Sequence, residues 1–419
     1  MDNVIDKSLI EMGEKARQAA YRLAVLSSAT KEEALRAIAR RLDENQDMIL
    51  AANTIDVEAA KKRDISAALL DRLSLNPERI SSMKEGLLQV AILPDPVGEV
   101  ISMWKRPNGL IIGQQRVPLG VVGIIYEARP NVTMDAAALC MKSGNATILR
   151  GGSEAINSNK AIVEVIRQGL ADSGLPCDAV ALVADTCRET AVKMMKMNKY
   201  IDVLIPRGGE SLIRSVVENA TIPVIETGTG NCHVYVDSDA DFDMAEKIVI
   251  NAKTSRPAVC NSAETLLVDA SIVQTFLPRM LKALAACGVE LRGCEQARAV
   301  YPEALSATEE DWYREYMDLI MAVKVVDDID AAIIHINKYG SHHSDAIITN
   351  DYAKSQKFLL HIDSAAVYVN ASTRFTDGNE FGFGAEIGIS NQKLHARGPM
   401  GLKELTTIKY IIYGSGQVR

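Results

Sequence analysis

The residues best placed for chemistry lie in one run, Asn251-Ala252-Lys253-Thr254-Ser255-Arg256-Pro257-Ala258-Val259-Cys260-Asn261-Ser262-Ala263-Glu264. A helix-like pattern over 244–253 ends there, a Pro-containing loop follows, and a strand-like run opens at Glu264. A thiol at such a junction faces a cleft, because loops at element ends carry ligands and chemistry. Lys253 and Arg256 stand close enough along the chain to favour the thiolate, the reactive form of cysteine. On these residues alone two readings stand. Cys260 is a nucleophile, or it is a buried structural thiol, the commoner use of cysteine inside a domain.

Two turns have the composition of a phosphate cradle. Leu149-Arg150-Gly151-Gly152-Ser153-Glu154 and Ile205-Pro206-Arg207-Gly208-Gly209-Glu210 each follow a strand-like run and open a helix-like one. Glycine there lets backbone amides approach an anion at a helix N-terminus, and each turn carries one arginine. Either turn alone is also an ordinary tight turn. Two in one sheet point to a dinucleotide. The G-x-G-x-x-G fingerprint is absent, since Gly228-Thr229-Gly230 is followed by Asn231-Cys232-His233. Gly340-Ser341-His342-His343-Ser344-Asp345 is a polar cluster before a strand. Adjacent histidines in extended chain point in different directions, so no metal site is expected. The Gly-rich run Phe381-Gly382-Phe383-Gly384-Ala385-Glu386-Ile387-Gly388-Ile389-Ser390 suits a site wall.

These residues need a scaffold, and the patterning supplies one. Residues 6–90 read as a helical layer, with Thr30-Lys31-Glu32-Glu33 as a capping box and Ala34, Leu35, Ile38, Ala39 and Leu42 on one face. Asn108-Gly109 marks a hairpin whose return strand runs over 110–117. A two-stranded ribbon is unstable alone, and a partner subunit is one candidate support. Residues 118–231 alternate strands (121–126, 146–150, 179–183, 203–205, 223–226) with helices (135–142, 154–172, 189–196, 210–217), the mark of a parallel sheet. A second α/β stretch from 232 to 395 carries strands at 234–236, 264–268, 322–326, 346–349 and 366–370, with the acidic run 238–243 opening a helix. The tail, 405–414, is a β-prone strand whose exposed edge invites pairing. With the hairpin it suggests a strand-mediated homo-oligomer.

Composition narrows the class. The chain has 419 residues, 47% hydrophobic and 24% charged, enough for two domains. A net charge of −8 argues against a nucleic-acid surface. No apolar run approaches the ~20 residues of a membrane helix. The first residues show no secretory leader, and cytoplasmic residence is the default. Seven cysteines, an odd number without a Cys-x-x-Cys pair, argue against a disulfide framework or structural zinc.

Three segments carry a resemblance. They are Tyr126-Glu127-Ala128-Arg129-Pro130-Asn131-Val132-Thr133, Ile148-Leu149-Arg150-Gly151-Gly152-Ser153-Glu154 and His335-Ile336-Asn337-Lys338-Tyr339-Gly340-Ser341-His342-His343-Ser344-Asp345-Ala346-Ile347. With Glu226-Thr227-Gly228-Thr229-Gly230 and Cys260, the chain resembles the aldehyde dehydrogenase superfamily, in the branch that acts on an acyl phosphate. In that superfamily a glutamate precedes the nucleophilic cysteine by a set interval, and Glu226 lies 34 residues before Cys260. The resemblance implies an aldehyde-dehydrogenase-like α/β fold with two Rossmann-type parallel-sheet domains and a small β oligomerisation flap. The implied division is 1–108 and 119–231 for the cofactor, 232–395 for catalysis, and 109–118 with 396–419 for oligomerisation.

The activity so implied is NADPH-dependent reduction of L-glutamate 5-phosphate to the 5-semialdehyde, a step of proline biosynthesis. Cys260 is then the nucleophile. Glu226 positions cofactor or accepts the thiol proton, and the amides of Cys260 and Asn261 face the oxyanion. Asn131 is the nearest side-chain amide to the family's usual oxyanion donor. Arg150, where the family has a Lys-Pro pair, meets a ribose 2′-phosphate and favours NADPH. Gly151, Gly152, Ser153, Arg207, Gly208 and Gly209 line the cofactor phosphates, and the nicotinamide ribose falls to Glu315, with Tyr316 the alternative. Arg129, Asn261 and His343 are assigned to substrate. Arg129 suits a phosphate or a carboxylate, or else a surface ion pair. Two rivals stand. One is a hydrolytic NAD-dependent aldehyde dehydrogenase, which needs no phosphate. The other is an inactive scaffold partnering the glutamate kinase that makes the unstable substrate.

Overall fold

Five helices open the chain: Lys7–Leu23, Ser28–Glu44, Gln46–Lys62, Ala67–Leu73 and Pro77–Ile92. The structure, a computed structural model, describes residues 6–63 and 65–419. The expectation of no secretory leader rests on the first residues, of which 1–5 lie outside the described residues. The second helix begins earlier than its sequence suggested. Ser27, not Thr30, is the cap, its hydroxyl accepting from the Thr30 amide at 3.2 Å. The expected face is buried nonetheless, with Ala34, Leu35, Ile38, Ala39 and Leu42 inside. Helix Ile156–Asp172 meets Ser28–Glu44 backbone to backbone, since a Cβ at Gly169 would fall 2.6 Å from Ile38 Cα.

The chain forms two compact units, Met1–Glu226 with Gly382–Gly388 and Met400–Arg419, and Thr227–Phe381 with Ile389–Pro399. In the first, a four-stranded parallel sheet runs in the order Val180–Leu182, Ala146–Arg150, Val121–Tyr126, Val203–Arg207. The run 223–226, expected as a strand, makes only an isolated bridge between Val224 and Leu204, because Pro223 has no amide to donate.

The hairpin Val100–Lys105/Ile111–Pro118 is completed by the chain's own tail, Thr406–Tyr413, with Ile111–Pro118 at the centre. The support sought for this ribbon is therefore intramolecular.

The second unit holds seven parallel strands, in the order Leu305–Ser306, Glu290–Gly293, Ile320–Val326, Ala263–Asp269, Cys232–Val236, Ser344–Ile348, Ala366–Val369. The two at the first edge had no clear sequence signal. Leu266 and Val268 pack on one face with Phe276, Leu277 and Met280. Leu267 packs on the other with Ile336 and Phe358. Burial on both faces hides the alternation that would mark a strand.

Candidate active site

In the first unit, three turns meet at the carboxyl ends of adjacent strands, where Tyr126 neighbours Arg207 and Ile125 neighbours Arg150. The chain builds outward from Val121–Tyr126 and then returns to its other side for Val203–Arg207. The sheet therefore switches direction between these two strands, which is where open α/β sheets bind ligands. Glu127 sits at the switch, and its carboxylate accepts from the Gly209 amide at 3.1 Å. A Cβ at Gly208 would lie 2.6 Å from Glu127 Cδ, and one at Gly151 would lie 2.1 Å from Asn159 Nδ2.

Arg150 donates from Nη2 to the Thr186 carbonyl at 2.6 Å, while its Nε is buried without a partner. Burial holds its pKa below the usual value. Ser153, hydrogen-bonded to Glu154 Oε1 at 3.2 Å, opens the short helical turn that leads into Ile156–Asp172. Arg129 precedes helix Pro130–Lys142 and donates its backbone amide to the Glu127 carbonyl at 2.7 Å. Asn131, exposed in the first turn of that helix, donates to Asp135 Oδ2 at 3.2 Å. Burial pushes the Asp135 carboxyl up to about 6.

In the second unit, Cys260 stands between helix Phe242–Thr254 and strand Ala263–Asp269, half-buried. The backbone of Gly230 lies against it, and the Gly230 amide donates to Glu315 Oε1 at 2.7 Å. Tyr316 turns away, donating to Asp311 Oδ1 at 2.8 Å with Arg292 over its ring. Behind Cys260, the Cys232 thiol donates to the Cys260 carbonyl at 3.2 Å. His343 Nδ1 lies 3.8 Å from Cys232 Sγ and 2.8 Å from Ser344 Oγ. His343 is fully buried, and burial lowers its pKa to about 4, so the ring is neutral at pH 7.

Asn261 is fixed from two sides. Its Nδ2 donates to the Thr376 carbonyl at 2.9 Å and the Arg374 carbonyl at 3.3 Å, and its Oδ1 accepts from Arg374 Nη1. Arg374 Nε in turn donates to Ser255 Oγ at 2.9 Å. Lys253 does not act on the thiol as its sequence position suggested. It is wholly enclosed, and its ammonium pairs with Glu264 Oε2 at 2.6 Å. Burial lowers the pKa of this lysine and raises that of Glu264.

Residues 6–297 match the aldehyde dehydrogenase family. The chain is 64% identical over 411 residues to gamma-glutamyl phosphate reductase of Clostridium beijerinckii, covering 98% of this chain and 99% of that one. It is 63% identical over 415 residues to the reductase of the same name from Caldicellulosiruptor bescii, with 98% and 99% covered. The crystal structure of gamma-glutamyl phosphate reductase from Thermotoga maritima matches with a TM-score of 0.96 at 51% identity, over 98% of this chain and 99% of that one. The chain belongs to the aldehyde dehydrogenase family, among its gamma-glutamyl phosphate reductases.

As a member of that family it is an oxidoreductase acting on a small molecule, and the family implies a nicotinamide cofactor. The α/β fold of parallel sheets expected from the sequence is the observed one. Sequence reasoning passed over Arg374, Cys232 and Glu127. Arg374 lies in Asn370-Ala371-Ser372-Thr373-Arg374, which has no spacing that ties it to Cys260. Glu127 was quoted only as part of a motif. Among the described residues, no helix is long and apolar enough to cross a membrane.

Proposed function

We propose that the chain reduces L-glutamate 5-phosphate to L-glutamate 5-semialdehyde with NADPH, releasing phosphate, in the second step of proline biosynthesis from glutamate. The observation that carries this is Cys260 on the loop between helix Phe242–Thr254 and strand Ala263–Asp269, with the Arg374–Asn261 pair beside it. The Cys260 thiolate attacks C5 of the substrate, the bond from C5 to the phosphate oxygen breaks, and a glutamyl thioester remains on sulfur. A nicotinamide held by the residues named below would supply the hydride for that carbonyl carbon. Collapse then breaks the C–S bond, frees the aldehyde and returns the thiolate. The amides of Cys260 and Asn261 face the oxyanion. Glu226 accepts the thiol proton or positions the cofactor, and Asn131 is a further oxyanion donor. Arg129 binds an anionic group of the substrate. His343, expected from the sequence to bind substrate, has no exposed surface and instead packs behind Cys260 against Cys232 and Ser344.

The cofactor fits the residues present. The buried Arg150 Nε and Asn159 Nδ2 are donors without protein acceptors, beside the glycine turn at 151–152. Arg150, Gly151, Gly152 and Ser153 would hold the adenosine end, with Arg150 on a 2′-phosphate. Arg207, Gly208 and Gly209 would hold the pyrophosphate, and Glu315 the nicotinamide ribose. Only a cofactor with a ribose 2′-phosphate uses the arginine fully, which favours NADPH over NADH. A homo-oligomer built on the Ile111–Pro118/Thr406–Tyr413 sheet, a contact with the glutamate kinase, and cytoplasmic residence complete the reading. The test runs the reaction in reverse. Oxidation of the semialdehyde by NADP+ should turn over only with inorganic phosphate. Full turnover without phosphate would instead identify a hydrolytic aldehyde dehydrogenase.

A further inference from the structure

A cationic side chain from outside the Cys260 loop is tied to it by neutral partners. Arg374 is half-buried, and it donates to Ser255 Oγ at 2.9 Å and to Asn261 Oδ1, neither of which carries charge. Among the described residues, no carboxylate stands within ion-pair distance of it. The charges that act on it are Arg256, the Cys260 thiol and Asp377. A second cation, the exposed Arg256, thus shares the loop with the thiol. Most half-buried arginines of this fold are arranged otherwise: Arg292 pairs with Asp311 at 2.8 Å and Arg17 with Asp202 at 2.8 Å. A half-buried guanidinium whose hydrogen bonds all go to neutral groups, with Asp377 acting on it only beyond ion-pair distance, keeps donor capacity for an anion beside a thiol that must meet a phosphorylated substrate.

We propose that Arg374 binds the phosphoryl group of the acyl phosphate and holds it as phosphate leaves the Cys260-bound acyl carbon. The choice of phosphate over the α-carboxylate follows from position. Arg374 is bonded to the side chain of the residue next to Cys260, so it lies beside the reacting carbon rather than at the far end of the glutamyl chain. A planar guanidinium offers paired donors to phosphate oxygens, and its charge offsets the repulsion between a thiolate and an incoming phosphate. The Asn261 clamp has a second consequence. Phosphate on Arg374 and the backbone amide of Asn261 are held in one rigid group, so leaving group and oxyanion donor keep a set geometry.

The proposal rests on the reading of Cys260 as the acylated thiol, and the test separates the two. Enzyme mixed with semialdehyde and NADP+ without phosphate should form about one equivalent of NADPH per site, because thioester formation needs no phosphate. Steady turnover then follows when phosphate is added. In Arg374→Gln the burst should remain, the KM for phosphate should rise at least about tenfold, and the KM for semialdehyde should change little, as for loss of a charge-assisted hydrogen bond to one substrate. Arg374→Lys, which keeps the charge and loses the fork, should recover part of the effect and guards against misfolding of the glutamine variant. An unchanged KM for phosphate in both variants overturns the proposal. So does loss of the burst in either variant with native circular dichroism, which would place Arg374 in the thiol's own machinery. A wild-type enzyme with no burst overturns the acyl-thiol reading itself.

Discussion

Gly230 lies against Cys260 so closely that a Cβ at position 230 would fall 1.5 Å from the Cys260 carbonyl oxygen and 2.6 Å from its Cα. The Gly230 amide meanwhile donates to Glu315 Oε1. One glycine thus joins the loop that bears the thiol to the carboxylate assigned to the nicotinamide ribose. Because the obstruction is backbone, Gly230→Ala must displace one of the two segments. A displacement of about 1 Å at a reacting centre costs on the order of a hundredfold in rate. Gly230→Ala is expected to fold, to lose about that much kcat, and to lose rapid alkylation of Cys260. Steady-state kinetics with a matched iodoacetamide time course checks this.

The buried histidines set the acid side of the stability profile. Burial lowers His343 from 6.5 to about 4, and His335 in the same direction, to about 2. A histidine kept neutral in the fold binds fewer protons than in the unfolded chain. Its contribution is therefore whole above pH 6.5 and is lost as pH falls towards 4. For His343 the full window is worth roughly 3 kcal/mol. His343→Gln should flatten the loss of stability between pH 6.5 and 4, read by urea unfolding at a series of pH values. A profile as steep as the wild type would refute the assignment.

Arg150 offers a separable test of cofactor choice. Among the described residues, its guanidinium hydrogen-bonds only backbone carbonyls, those of Thr186 and Cys187, and no carboxylate. Arg150→Ala should raise the KM for NADPH by about tenfold to a hundredfold, the span of one or two charge-assisted hydrogen bonds, and leave the KM for NADH nearly unchanged. Equal losses with both cofactors would mean that the arginine only supports the turn.

Lys253 and Glu264 form an ion pair with no exposed surface on either side chain. Removing one partner strands the other, at a cost of about 3–5 kcal/mol, whereas replacing both with apolar residues of similar size is near neutral. Lys253→Met should lower the unfolding midpoint strongly, and Lys253→Met combined with Glu264→Leu should restore most of it. Calorimetry on the three proteins measures the difference.

What the sequence disclosed and what it hid have physical causes. The thiol's setting was legible because the apolar period of Phe242–Thr254 stops at a proline-bearing loop and a short strand-like run follows. The two glycine turns at the ends of Ala146–Arg150 and Val203–Arg207 were legible from strand, arginine, two glycines and helix in that order. Lys253 was misjudged because nearness along a helix is not nearness in space. With Val249 and Ala252 it shares the inward face, so its ammonium enters the core. Arg374 was invisible because its link to Asn261 spans 113 positions and no periodicity encodes it. The two β-prone runs of the ribbon, Ile111–Pro118 and Thr406–Tyr413, were each visible, but only the fold pairs them within one chain.

The central claim is that Cys260 carries the glutamyl group between phosphate release and reduction. Its most direct measurement is mass spectrometry of peptides from enzyme quenched in acid after reaction with semialdehyde and NADP+ in the absence of phosphate. The expected result is a glutamyl adduct on the peptide containing Cys260, about one per site, discharged by phosphate and absent from Cys260→Ser, which should also lose all turnover. An adduct on another residue, or turnover surviving in Cys260→Ser, would contradict it.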